Sequence, residues 1–85
     1  MKHAGPDALD ILGPLLAQIR KHEQLKEKKR GLFYIKGKSF LHFHEDPAGL
    51  FADISLGVKT WRLRVSTQAE RRVLLAKIKN VLTDL

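Results

Sequence analysis

The clearest pattern in the chain is an apolar stripe with helical spacing near the C-terminus. Apolar positions recur three or four residues apart, and the charged residues lie largely off this stripe. Thr67 and Glu70 precede the stripe with the spacing of a capping box, in which each side chain accepts a hydrogen bond from a backbone N–H group at the helix start. The pattern predicts a C-terminal amphipathic helix. Its apolar face consists of Leu74, Leu75, Ile78, Val81, Leu82 and Leu85.

A weaker helical pattern lies in the N-terminal third of the chain. It predicts a helix from Asp10 to Lys29, with Pro14 in the first turn and Gly31 as the glycine that ends it. Residues 1–13 are expected to be loosely ordered or to form a short helical turn. The partial apolar stripe of the predicted helix consists of Leu15, Leu16, Ile19 and Leu25.

The middle of the chain has the alternating pattern of β-strands. Short runs rich in β-branched and aromatic residues are separated by turn sequences such as KGKS and DPAG. We therefore expect an antiparallel meander of three to four strands, with the N-terminal and C-terminal helices on the same side. The predicted fold class is an α+β two-layer sandwich, formed by a single domain that spans residues 1–85. The predicted strands are LFYI, FLHFHE, LFADISL and TWRLRV.

The hairpin around DPAG, residues 45–50, has two alternative registers. Turn chemistry favours a three-residue loop that pairs Asp46 with Leu50. Burial favours a four-residue loop that pairs Glu45 with Leu50, because one continuous apolar face then contains Leu41, Phe43, Leu50, Ala52 and Ile54. Each such side chain is worth about 1.5–3 kcal/mol when buried. In this second register His42 lies directly opposite Asp53.

In the register favoured by burial, polar and aromatic residues share the solvent-facing side of the sheet. His42, His44 and Asp53 can together bind a divalent metal ion there. Alternatively, Asp53 orients His42 as a general base. No catalytic motif accompanies them, so no enzymatic activity is assigned, and His3 and His22 are interpreted as surface residues. The predicted binding face consists of Phe40, His42, His44, Phe51, Asp53, Arg62 and Arg64.

The chain is strongly basic, with 16 Lys and Arg residues against 9 Asp and Glu residues, a net charge of +7. A basic cluster of Lys26, Lys28, Lys29 and Arg30 either marks the end of the predicted helix or forms a patch that binds polyanions. The absence of cysteine excludes disulfides and Cys-ligated zinc. The N-terminal segment has no long apolar run, so a soluble cytoplasmic protein that does not interact with membranes is expected.

Three functions follow from these features. Phe40 and Phe51 on an otherwise polar face favour an interaction domain that forms a homodimer or binds a protein partner. A nucleic-acid or polyanion binder is the first alternative, in which the aromatic rings stack bases while Arg62 and Arg64 contact phosphates. The second alternative is a divalent-metal-binding module.

Two segments of the chain resemble a known group of proteins. The strings GLFYIKGKSFLHFHEDPAGLFADI and RVSTQAERRVLLAKI resemble a group of small uncharacterised bacterial proteins. The order helix, meander, helix is similar to the YjbR-type and TfoX N-terminal-like domains. This second resemblance is architectural and implies no shared functional residues.

Overall fold

A computed structural model describes residues 1–85 and confirms the α+β fold, in which helices precede and follow a run of five strands along the chain. None of the helices has the length and apolar character that crossing a membrane requires. The helices are α1 (Pro6–Ile11), α2 (Gly13–Ile19) and α3 (Gln68–Thr83). The strands are β1 (Lys2–His3), β2 (Lys26–Lys29), β3 (Leu32–Ile35), β4 (Lys38–Asp46), β5 (Gly49–Leu56) and β6 (Lys59–Arg64).

The strands form one six-stranded sheet with the order β2-β3-β4-β5-β6 and with β1 paired to β4. All pairs are antiparallel. β1 and β3 share the edge of β4 that β5 does not occupy, because β3 pairs with β4 as far as Leu41 whereas β1 pairs with it at His44 and Glu45. The sheet is larger than predicted because β1 and β2 come from segments that the sequence assigned to a loose N-terminus and to a helix.

The predicted helix from Asp10 to Lys29 is too long at its C-terminal end. α2 ends at Ile19, and the basic segment that follows forms the edge strand β2. Leu25 is the only apolar residue between Ile19 and β2, so a longer helix would bury almost nothing. Lysines are typical of an edge strand, where their charge discourages pairing with another sheet.

Gly31 is not the C-cap of a helix, as the sequence predicted, but part of the turn between β2 and β3. Its φ of +79° lies in the left-handed region that favours glycine. A Cβ atom at this position would lie 2.7 Å from Cδ2 of Leu9 in α1, so the turn packs closely against that helix.

All three helices pack against the same face of the sheet, as predicted for the N-terminal and C-terminal helices. Leu41 and Phe43 in β4, together with Ala52 and Ile54 in β5, point toward these helices and are buried. Trp61 and Leu63 of β6 are partly buried against the same core. The helical core residues are Leu12, Leu15, Leu16 and Ile19 near and within α2, and Leu74, Ile78, Val81 and Leu82 in α3.

The predicted capping box at the start of α3 is confirmed. Thr67 Oγ1 accepts a hydrogen bond of 3.1 Å from the backbone N–H of Glu70, and Glu70 Oε1 accepts one of 2.9 Å from the backbone N–H of Thr67. Ser66 also donates its N–H to Glu70 Oε1 at 3.0 Å. These contacts satisfy backbone donors that a helix N-terminus leaves unpaired.

Phe40 was predicted to lie on the solvent-facing side of the sheet, and this prediction is wrong. Phe33 pairs with Leu41 and Tyr34 pairs with Ser39, so Phe40 is an extra residue in β4. Such a β-bulge breaks the alternation of side chains. Phe40 and Leu41 are both fully buried although they are consecutive in the strand.

The register of the β4–β5 hairpin is the one that burial favoured. Glu45 pairs with Leu50, and His42 pairs with Asp53. Asp46 also pairs with Gly49 and accepts a hydrogen bond of 3.1 Å from the N–H of Ala48, which closes a two-residue turn. The register places His42, His44 and Asp53 on the face opposite the helices, which we call the open face.

Candidate metal centre

The open face brings together three imidazole side chains. His42 and His44 alternate along β4 and therefore point to the same side of the sheet. His3 in β1 lies directly opposite His44 across the strand pair. We call His3, His42 and His44 the histidine cluster. His3 is exposed, as the sequence predicts, and only the pairing of β1 with β4 brings it into this cluster.

Three contacts hold β1, and with it His3, in place. The N–H of Ala4 donates a hydrogen bond of 3.0 Å to the carbonyl of Phe43. The N–H of Gly5 donates one of 2.7 Å to Glu45 Oε2. Lys2 Nζ lies 3.7 Å from the other carboxylate oxygen of Glu45. Glu45 therefore helps to hold β1, a strand of only two residues, against β4.

The rings of the histidine cluster are close to one another. The centroids of His42 and His44 are 4.7 Å apart, and their rings are inclined by 73°. The rings of His3 and His44 are stacked, with centroids 4.9 Å apart, and those of His3 and His42 are 5.9 Å apart. One nitrogen from each ring lies within 4.8 Å of the other two.

These distances are compatible with a shared metal ligand set. Zn–N bonds of about 2.0–2.1 Å in tetrahedral geometry separate the ligating nitrogens by about 3.4 Å. Rotations that move each nitrogen inward by about 1 Å or less bring the three rings to this separation. Three imidazoles leave further coordination positions open to water or another ligand.

Several ring nitrogens in the cluster are buried and have no hydrogen-bond partner. They are Nδ1 of His42 and both Nδ1 and Nε2 of His44. A buried polar atom without a partner is costly, and such atoms are rare in folded proteins. A metal ion between the rings would satisfy lone pairs of this kind.

Asp53 does not belong to the histidine cluster, although the sequence predicted it as a metal ligand. Arg62 donates two hydrogen bonds to its carboxylate, from Nε to Oδ1 and from Nη2 to Oδ2, both of 2.8 Å. Asp53 is only 5% exposed, because Arg62 and the neighbouring side chains cover it. Its Oδ2 lies 3.2 Å from Nε2 of His44, although the two groups are not aligned for a hydrogen bond. The group of ligand atoms that lie within 4.8 Å of one another thus contains His3 and not Asp53.

The pKa values of His42 and Asp53, on the open face, are displaced from their ordinary range. Burial lowers the pKa of His42, and the rings of His44 and His3 act in the same direction while Asp53 opposes them. The hydrogen bonds from Arg62 lower the pKa of Asp53, against the opposing effect of burial. His42 is therefore neutral and Asp53 ionised at neutral pH. A histidine must be neutral to bind a metal ion, and an ionised carboxylate can accept a hydrogen bond from a ligating imidazole.

The remaining predicted binding residues are spread across the sheet. Phe51 lies opposite His44 in β5 and is partly buried. Arg64 is exposed and pairs with Glu70 at 3.1 Å. Lys28 places its Nζ 4.4 Å above the ring of Tyr34.

The basic residues do not form one continuous patch. The basic cluster belongs to β2 and its turn, at one edge of the sheet, whereas Arg62 and Arg64 belong to β6 at the other edge. Four strand spacings of about 4.8 Å separate these edges, which is about 19 Å. Arg62 and Arg64 are also neutralised in part by their carboxylate partners.

Comparisons with protein-family models, with curated proteins and with solved structures find no match to this chain. The resemblance to YjbR-type and TfoX N-terminal-like domains therefore stays a prediction.

Proposed function

We propose that this protein binds a divalent transition-metal ion through His3, His42 and His44. The observation that carries the proposal is the convergence of three imidazoles, one nitrogen from each lying within 4.8 Å of the others, with ring nitrogens of two of them buried and unpaired. Neutral imidazole is a favoured ligand of Zn²⁺, Cu²⁺, Ni²⁺ and Fe²⁺. A set of nitrogen ligands without a carboxylate disfavours Mg²⁺ and Ca²⁺, which prefer oxygen.

Asp53 supports this proposal as a positioning residue. A rotation of the His44 ring that aligns Nε2 with Asp53 Oδ2, which is 3.2 Å away, leaves Nδ1 of that ring for the metal. A carboxylate behind a ligating imidazole orients the ring and increases its basicity. The two hydrogen bonds from Arg62 hold the carboxylate itself in place.

Calorimetric titration of the untagged protein with Zn²⁺ at pH 7.5 tests the proposal. We expect one ion per chain and an affinity that falls at least about tenfold when His3, His42 or His44 is replaced singly by Gln. His22→Gln is the matched control, because it removes an imidazole outside the cluster and leaves the affinity unchanged. Equal binding by the wild-type protein and all three cluster variants would contradict the proposal.

A second candidate function is self-association or partner binding through the open face. It is favoured by the position of Phe51 and Tyr34, which are partly exposed on a sheet face that no helix covers. The burial of Phe40 weakens this candidate, and the separation of the basic edges weakens the nucleic-acid alternative. Light scattering over a range of protein concentrations tests self-association through the open face. The wild type is expected to have a concentration-dependent mass, and Phe51→Ser a constant monomer mass.

A further inference from the structure

A notch in the sheet lies beside the histidine cluster. Along one edge of β4, the pairing with β3 ends at Leu41 and the pairing with β1 begins at His44. The edge between them borders a cavity of about 280 Å³ at the ends of β1 and β3. We call this cavity the notch. Its size is slightly below the usual range for ligand pockets, so it suits a small molecule.

The walls of the notch combine cationic, metal-binding and apolar residues. His3 and His42 belong to its lining, whereas His44 does not. Lys29 and Arg30 contribute positive charge from the end of β2 and its turn, and no acidic residue lines the cavity. The apolar part of the wall comes from Ala4, Leu9, Leu32 and Phe43.

Lys29 and Arg30 differ in their availability to a ligand. Arg30 Nη2 is paired with Oδ1 of Asp10 at 2.5 Å. Lys29 is exposed and has no ion-pair partner. An unpaired lysine beside a site where a cation is held favours a ligand with negative charge.

We propose that the notch binds a short-chain aliphatic monocarboxylate, which ligates an open position of the metal held by the histidine cluster while its hydrocarbon chain contacts the apolar wall. This inference deepens the proposed function and rests on it. Two members of the ligand set, His3 and His42, border the notch, so a metal bound there faces it. One carboxylate oxygen binds the metal, and Lys29 stabilises the negative charge of the group.

The apolar wall distinguishes a carboxylate from inorganic phosphate. Phosphate has the same attraction for the metal and for Lys29, but it has no apolar part to place against Leu32 and Phe43. Burial of each additional CH₂ group contributes about 0.8 kcal/mol. Affinity should therefore rise from formate to acetate to propionate.

Visible spectroscopy of the Co²⁺-loaded full-length protein tests the inference, because Co²⁺ accepts the same nitrogen ligands as Zn²⁺ and its spectrum reports on the ligand at the open position. Titration with propionate is expected to change the spectrum saturably. The apparent Kd should be about three- to fivefold higher in Lys29→Gln. Lys26→Gln is the matched control, since it removes the same charge from the same strand outside the notch and leaves the Kd unchanged.

The outcomes separate the two proposals. If Co²⁺ binds in a manner that requires the histidine cluster but propionate leaves the spectrum unchanged, the inference fails and the proposed function stands. If Co²⁺ does not bind to the cluster, the proposed function fails and the inference falls with it. Tighter binding of inorganic phosphate than of propionate, or equal weakening in Lys26→Gln and Lys29→Gln, overturns the assignment of the notch to a monocarboxylate.

Discussion

The helix-facing side and the open face are built from alternate residues of the same strands, yet different forces hold them together. On the helix-facing side, Phe43 and Ile54 pack in an apolar core to which the helices, together with the residue that joins α1 to α2, contribute half of the side chains. On the open face, Arg62 and Asp53 form a charge-assisted pair beside imidazoles that lack partners. The helix-facing side is determined by burial, which has no direction, whereas the open face depends on the distances between particular atoms.

This difference explains why the two sides tolerate change differently. Hydrophobic burial is roughly proportional to area, so an apolar residue of similar volume can often replace another in the core. Hydrogen bonds and metal ligands require a specific atom at a specific distance. Substitutions on the helix-facing side should therefore change stability, and those on the open face should change metal binding as well.

Phe40→Ala gives the largest expected effect on stability. Because the bulge in β4 buries Phe40 completely, the substitution should lower the free energy of unfolding by about 3–5 kcal/mol, measured by urea denaturation. Phe40→Leu, with an expected loss below about 1.5 kcal/mol, provides a measurable variant if the alanine variant does not fold. Phe51→Ala on the open face should cost clearly less, and an equal or smaller cost for Phe40→Ala would contradict the placement of the bulge.

Asp53→Asn should lower the free energy of unfolding at pH 7 by about 1–2 kcal/mol, because it removes a charge-assisted pair with Arg62. It should also weaken Zn²⁺ binding by about tenfold. Since the pKa of Asp53 is lowered by folding, the stability that it contributes is present above about pH 4 and is lost as the pH falls through the lower folded value. Urea denaturation at pH 7 and pH 3 measures the loss of stability and its pH dependence, and calorimetric titration measures the Zn²⁺ affinity. Ser55→Ala in the same strand is the control.

Glu45→Gln should loosen β1 with a cost of about 0.5–1.5 kcal/mol, because a neutral amide oxygen accepts the hydrogen bond of the Gly5 N–H more weakly than the carboxylate and loses the attraction for Lys2 Nζ. Amide hydrogen exchange of Ala4, whose N–H is bonded to Phe43, should become about fivefold faster per kcal/mol lost. Zn²⁺ affinity should fall by a similar factor, because β1 carries His3. An unchanged exchange rate at Ala4 would show that Glu45 does not hold β1 in place.

The pH dependence of the metal-free protein gives the smallest expected effect. Since burial lowers the pKa of His42 below its ordinary value of 6.5, the unfolded chain binds a proton at this residue more readily than the folded protein. The free energy of unfolding should therefore fall as the pH decreases from 6.5, and the effect should be absent above that value. His42→Gln should flatten this slope in urea denaturation between pH 7 and pH 5, and His22→Gln should retain it.

The parts of the fold that were predicted correctly have strong local patterns. The capping box at Thr67 and Glu70 is confirmed with the predicted partners. The pairing of His42 with Asp53 is also confirmed, because a shift of one residue would have moved a whole apolar face into solvent. The prediction that a helix reaches Lys29 was wrong after Ile19, where the local pattern is weak. A basic edge strand and a basic helix end have similar compositions, so composition does not distinguish them.

The sequence by itself determined that His42 and His44 share one face of a strand and that Leu41 and Phe43 share the other, because side chains alternate over a few neighbouring residues. Tertiary structure alone decided that His3 completes a cluster with residues about forty positions away. A two-residue strand has no periodicity from which its partner can be inferred, and the unpaired edge of β4 that receives it exists only when the whole sheet has formed.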